Sequence, residues 1–240
     1  MIDWLRKGTE SPTVNIAGRE LPLAIRRHPT ARRLTMRLAP DGSEVRVTLP
    51  KWGRTLDALV FAGQRRDWLE QQLARIPAAA PPAPGGRVAY RGHALAIDWS
   101  PAAPRKPQLC ETAVRLGGPQ ETLAPRLRRW LEAEARRLIE QDLTHYCAEA
   151  GVATPRLHLS RAQRRWGSCS SKGGIRINWR LVQAPDAVRR SVVAHEVAHL
   201  THFDHSPAFH ALLRRLFEGD LDAADAWLRR EGRSLYAAFG

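Results

Sequence analysis

The sequence predicts an α+β fold, with a β-rich N-terminal subdomain over 1–118 and a second domain over 119–240 in which a helix packs on a small sheet. Three observations carry that prediction. Short runs of alternating apolar and polar residues crowd the first half, near 21–27, 34–38 and 45–49. A helical apolar period replaces the alternation over 121–150 and 186–200. Between them, the proline-rich stretch 77–86 is the clearest punctuation in the chain, a stiff extended connector.

Taken in order, Leu21 to Arg27, Leu34 to Leu38 and Val45 to Leu49 read as strands, with Asp41-Gly42 near a turn. Leu56, Leu59, Val60, Trp68, Leu69 and Leu73 mark an amphipathic helix of about twenty residues. Val88 to Tyr90 and Ala94 to Trp99 are strand-like and are expected to rejoin the first sheet. A long helix over 121–150 carries Leu127, Trp130, Leu131, Leu138, Ile139, Leu143 and Tyr146, with Gly151 as its stop signal. Arg164 to Cys169 and Ile175 to Arg180 read as a hairpin, because Ile175, Ile177 and Trp179 alternate with Arg176, Asn178 and Arg180. Trp166 and Trp179 are expected in the core, as is the small thiol of Cys169. One more helix covers Leu221 to Leu228.

The chemistry concentrates at His195-Glu196-Val197-Ala198-His199, an H-E-x-x-H stretch inside a predicted helix. Val188, Val192, Val193, Val197 and Leu200 supply its buried stripe, and Pro185 suits its first turn. Histidines four apart share one helical face, so both imidazoles can converge on one cation. The Glu196 carboxylate can then reach a water on that cation without ligating it.

A catalytic zinc site needs three protein ligands and an open fourth position. Ser206-Pro207 reads as an N-cap and first-turn proline, so the chain must turn between about 201 and 205 before a second helix. That turn makes His205 the expected third ligand. His202 lies on the wrong side if the first helix continues, and His210 sits one turn into the second. Asp204 could ligate but is expected to orient a ligand imidazole instead.

With these residues on the page, the chain resembles the YgjP-like metallopeptidases, relatives of the SprT and WLM-type zincins. The matching segments run in order: Trp166-Gly167-Ser168-Cys169, Asn178-Trp179-Arg180-Leu181, the H-E-x-x-H helix, and His205-Ser206-Pro207-Ala208-Phe209. The resemblance is strongest over about 155–217. It implies a zincin-like catalytic half, Zn2+ held by His195, His199 and His205, Glu196 as general base, and a protein or peptide substrate. An edge strand beside the metal would bind that substrate through main-chain hydrogen bonds. The alternatives are a non-catalytic zinc site closed by Asp204, His202 or His210, and a nucleic-acid-associated protein.

Composition bears on that last alternative. Lysine and arginine number 38 against 24 acidic residues, a net charge of +14, yet the arginines are scattered in doublets such as Arg128-Arg129 and Arg189-Arg190. A nucleic-acid partner is therefore possible, but charge alone does not single it out. Arg164, Arg165 and Tyr236 are candidate transition-state contacts, with no ground for preferring one. Three widely spaced cysteines argue against a disulfide framework. The opening residues show no apolar signal core, and no apolar run reaches the roughly 18 residues of a membrane span. A cytoplasmic location is expected.

Overall fold

Alternating burial builds the first sheet of the computed structural model, which describes residues 12–76 and 80–239. Strands β1 (Thr13–Ile16), β2 (Arg19–His28), β3 (Thr35–Leu38) and β4 (Val45–Pro50) lie in the order β1-β2-β4-β3. β2 and β4 run parallel, with Leu23 opposite Val45, and the outer pairs are antiparallel. Leu21, Leu23, Val45, Val47 and Leu49 fill the covered face. Gly42, at φ +71°, takes the left-handed conformation that closes the turn onto the Ala39 carbonyl.

The single helix expected after this sheet is two, α1 (Thr55–Gly63) and α2 (Arg66–Ala74). The break follows Gly63, the weakest helix former in the run. The stripe differs as well. Ala58, Ala62 and Leu69 are fully buried, whereas Leu56, Val60 and Trp68 point outward. Small side chains on α1 allow close packing onto the sheet, a preference that counting large apolar residues overlooks.

The chain divides into compact units Met1–Ala78 and Ala79–Gly240, so the division falls in the proline-rich connector rather than at 118. Residues 77–79 of that connector, like the opening segment, lie outside the described residues. The strands expected to rejoin the first sheet instead build their own. β5 (Arg87–Tyr90), β6 (His93–Trp99), β7 (Gln108–Leu109) and β8 (Ala113–Leu116) lie in the order β5-β6-β8-β7. Val88, Leu95, Ile97, Val114 and Leu116 belong to one core with Leu123, Leu127 and Leu131, and that shared core is why they stay with the second unit.

Those leucines lie on α3 (Leu123–Ala150), which ends at Gly151 with φ +68°. A three-stranded sheet follows, β9 (Leu157–Ser160), β10 (Gly167–Cys169) and β11 (Ile175–Asn178), in the order β10-β11-β9. The expected hairpin is present but shorter at both outer ends, with Gly167 opposite Ile177 and Cys169 opposite Ile175. The Asn178 side chain accepts the Arg180 N–H at 3.1 Å and starts a 3-10 turn over Trp179–Gln183, which removes Trp179 and Arg180 from the strand. Trp179 is buried as expected, while Trp166 and Cys169 are only half-buried.

Helix α4 (Asp186–Thr201) lies between α3 and the β10–β11 hairpin, and α5 (Pro207–Leu216) and α6 (Leu221–Glu231) close the unit. Among the described residues, no helix is long and apolar enough to cross a membrane. The start of α4 is held by the β5–β6 turn. Arg91 and Gly92 donate their N–H groups to the carbonyls of Val182 and Gln183 at 2.7 and 3.0 Å, and Arg91 pairs with Asp186.

A charge network ties α4 to α3. Arg189, with its side chain 3 % exposed, donates Nε to Asp142 at 2.7 Å and also pairs with Asp186. Arg190 reaches Glu218 at 2.5 Å, and Glu218 accepts the Tyr146 hydroxyl at 2.9 Å. Asp142→Asn leaves the buried Arg189 cation with one carboxylate fewer. A loss of about 3 kcal/mol in unfolding free energy is expected, since stranding a buried charge is costlier than never burying it. Urea denaturation checks this, and a change below about 0.5 kcal/mol would mean the pair is not coupled to folding.

Candidate metal centre

The two histidines of α4 sit one turn apart, and the helix ends just beyond the second. His202 leaves helical geometry at φ −127°, ψ 104°, and the chain restarts at α5, where Ser206 Oγ caps the Phe209 N–H at 3.3 Å. The intervening turn carries His205 back over α4. Its Nε2 lies 3.4 Å from Nε2 of His195, which is itself 3.1 Å from Nε2 of His199. All three ligand atoms fall within 4.8 Å of one another. A tetrahedral ion with Zn–N bonds of about 2.0–2.1 Å separates its ligand nitrogens by roughly 3.3 Å. The two separations from His195, 3.1 and 3.4 Å, bracket that value.

Protonation agrees with the spacing. His199 Nδ1 lies 3.0 Å from the His202 carbonyl oxygen, to which it donates its proton. With Nδ1 as the donor, the nitrogen left to bind a cation is Nε2, which lies toward His195 and His205. Burial, followed by the neighbouring His199 and His205, pushes His195 down to about 4. Converging lone pairs repel unless a cation lies between them, so the donor set fits a divalent metal.

Phe209 underlies the cluster. It is fully buried, stacks on His199 with ring centroids 4.5 Å apart, and meets His195 and His205 edge-on at 5.0 and 4.9 Å. Sequence reasoning gave it no physical role. The available signal was its place one turn after His205, on the buried side of a capped helix.

Asp204 departs from expectation. It is exposed and accepts hydrogen bonds from Ser206, which hold its carboxyl below the usual range. The group orienting the His199 imidazole is instead the main-chain carbonyl of His202. The His210 ring centroid stands 6.4 Å from that of His205, outside the cluster. Tyr236 is buried against Trp166 and Arg180 and hydrogen-bonds toward Ala162, which fits packing rather than a transition-state contact.

Glu196 is 6 % exposed and lies beside β10. Burial pushes its carboxyl up to about 7, opposed by a hydrogen bond from the Cys169 backbone and by the charge of Arg165. Gly167 makes this placement possible. A β-carbon there would stand 2.4 Å from Glu196 Oε1 and 2.7 Å from its Cγ. Glycine inside a strand signals such close approach, and that signal went unused in the sequence.

A sequence model of the YgjP-like metallopeptidase domain matches residues 32–231. The chain belongs to the YgjP-like metallopeptidase-domain family. Among curated proteins no match to it is found. In this YgjP-like chain the Trp166-Gly167 segment, the H-E-x-x-H helix and α5 share a cleft of about 790 Å³ that opens beside His195 and Glu196. Among the described residues β10 pairs only with β11, which leaves its other edge open in the same hairpin.

Proposed function

We propose that this family member is a zinc-dependent peptidase in which His195, His199 and His205 hold Zn2+ and Glu196 is the general base. The observation that carries the reading is the convergence of three histidine nitrogens, two of them 3.1 and 3.4 Å from Nε2 of His195 and all within 4.8 Å of one another. Three protein ligands suit a catalytic rather than a structural zinc, because one position stays open. Asp204 and His210, two of the residues that would have closed the site, are engaged or placed elsewhere.

When bound, the ion supplies Lewis acidity, which lowers the pKa of water to about 7 and polarises a carbonyl. Glu196 takes the proton of the attacking water and passes it to the leaving amide nitrogen. A carboxyl with a proton affinity near neutrality suits both transfers, and its burial supplies that affinity. The open edge of β10 offers main-chain donors and acceptors to an extended peptide, a recognition indifferent to sequence. Peptide-bond hydrolysis, rather than hydrolysis in general, is supported by the family match. A reducing, cytoplasmic setting is part of the reading, supported by the unpaired state of Cys110, Cys147 and Cys169.

The test is metal removal. Dialysis against a strong chelator is expected to abolish cleavage of a denatured protein substrate, and one equivalent of Zn2+ should restore it. His205→Ala is expected to hold substoichiometric zinc under the same dialysis. Undiminished cleavage by metal-free protein would overturn the proposal.

A further inference from the structure

Resting on the peptidase reading, we propose that the cleft beside the metal centre is a specificity pocket for a lysine or arginine side chain of the substrate, with Asp222 as its selective contact.

The cleft is built from helical faces. Leu213 from α5, Phe217 just beyond that helix, and Leu221 and Leu228 from α6 form its apolar walls, and Gly167, His195 and Glu196 stand at its reactive end. The spacing of Leu221, Asp225 and Leu228 shows that one face of α6 turns toward the cavity. Asp225 shares that face, and Asp220 and Asp222 flank it at the start of the helix. Asp220, Asp222 and Asp225 line the cleft, against one arginine, Arg214. In a chain of net charge +14, this concentration of carboxylates sets the local potential against the global one, and a cleft focuses such a field.

The three acids are not equivalent. Asp220 caps α6 by accepting the Ala223 N–H at 2.9 Å, and Asp225 pairs with Arg229 one turn on. Asp222 is exposed and, among the described residues, has no hydrogen-bond or ion-pair partner. Long cationic side chains match this lining, since their methylene stems lie along apolar walls while the head group reaches a carboxylate. An acidic residue would meet repulsion, and a short polar one would leave the walls wet.

Amino-acid hydroxamates test this without a known substrate, because the hydroxamate can anchor on the metal and present the side chain to the cleft. Calorimetry on zinc-loaded protein should show lysine hydroxamate binding about fivefold tighter than norleucine hydroxamate, the scale of one solvent-accessible ion pair. Glutamate hydroxamate should bind weakest. Asp222→Asn should erase the lysine advantage and leave norleucine hydroxamate unchanged. A helix-stabilising role for this first-turn acid would instead weaken all three probes alike. Equal binding of lysine and norleucine probes, or a lysine preference that survives Asp222→Asn, overturns the pocket while leaving the metal site standing. Failure of all three to bind overturns the pocket together with the metal reading beneath it.

Discussion

Glu196→Gln is expected to retain stoichiometric zinc and lose about 10²–10⁴-fold in turnover, the usual contribution of a positioned general base. Glutamine has nearly the shape of glutamate, so the packing against Gly167 survives, as does the hydrogen bond from the Cys169 backbone. The three imidazoles are untouched, because Glu196 projects from the flank of α4 toward β10 rather than into the nitrogen cluster. What disappears is the capacity to accept a proton. Metal content and turnover must be measured on the same sample, since a loss of both would implicate folding or ligation. A zinc-replete Glu196→Gln protein with wild-type turnover would remove this residue from the mechanism.

The nitrogen cluster is legible in the sequence because its geometry is local. Spacing of four on a helix aligns His195 with His199, and the Ser206-Pro207 helix start forces the turn that returns His205. The hydrogen bond that orients His199 is not legible, because its acceptor is a main-chain carbonyl, which every residue carries. A side-chain acid such as Asp204 attracts attention, yet it is spent locally on Ser206.

The same contrast runs through the fold. Strand periodicity locates β5 and β6, but periodicity shows only that a face is covered, not by what. Val88 and Ile97 proved to share a core with Leu123 and Leu127, which no count along the chain reveals. Helices α1 and α2 fail differently. Buried Ala58 and Ala62 carry little hydrophobic weight, while exposed Leu56 and Val60 carry much. A stripe weighted by side-chain size therefore points to the wrong face.

Gly167→Ala is expected to keep the metal and lower turnover by about 10²-fold, because roughly 1 Å of misplacement at a reacting group is costly. Gly167 is not among the residues with positive φ, so alanine meets no backbone strain there. Its cost is contact alone, a methyl carbon 2.4 Å from Glu196 Oε1 and 2.8 Å from its Cδ. Something must move. β10 is held by its ladder to β11, with Gly167 opposite Ile177, and by the Asn178 N–H donated to the Trp166 carbonyl at 2.7 Å. α4 is anchored by Arg189 on Asp142. The carboxylate is the softest of the three and should rotate away from the strand, leaving the base misplaced beside an intact set of imidazoles. A crystal structure of the zinc-loaded variant would show the displacement directly. Full activity with Glu196 unmoved would mean that the strand yields instead, and that β10 does not set the position of the base.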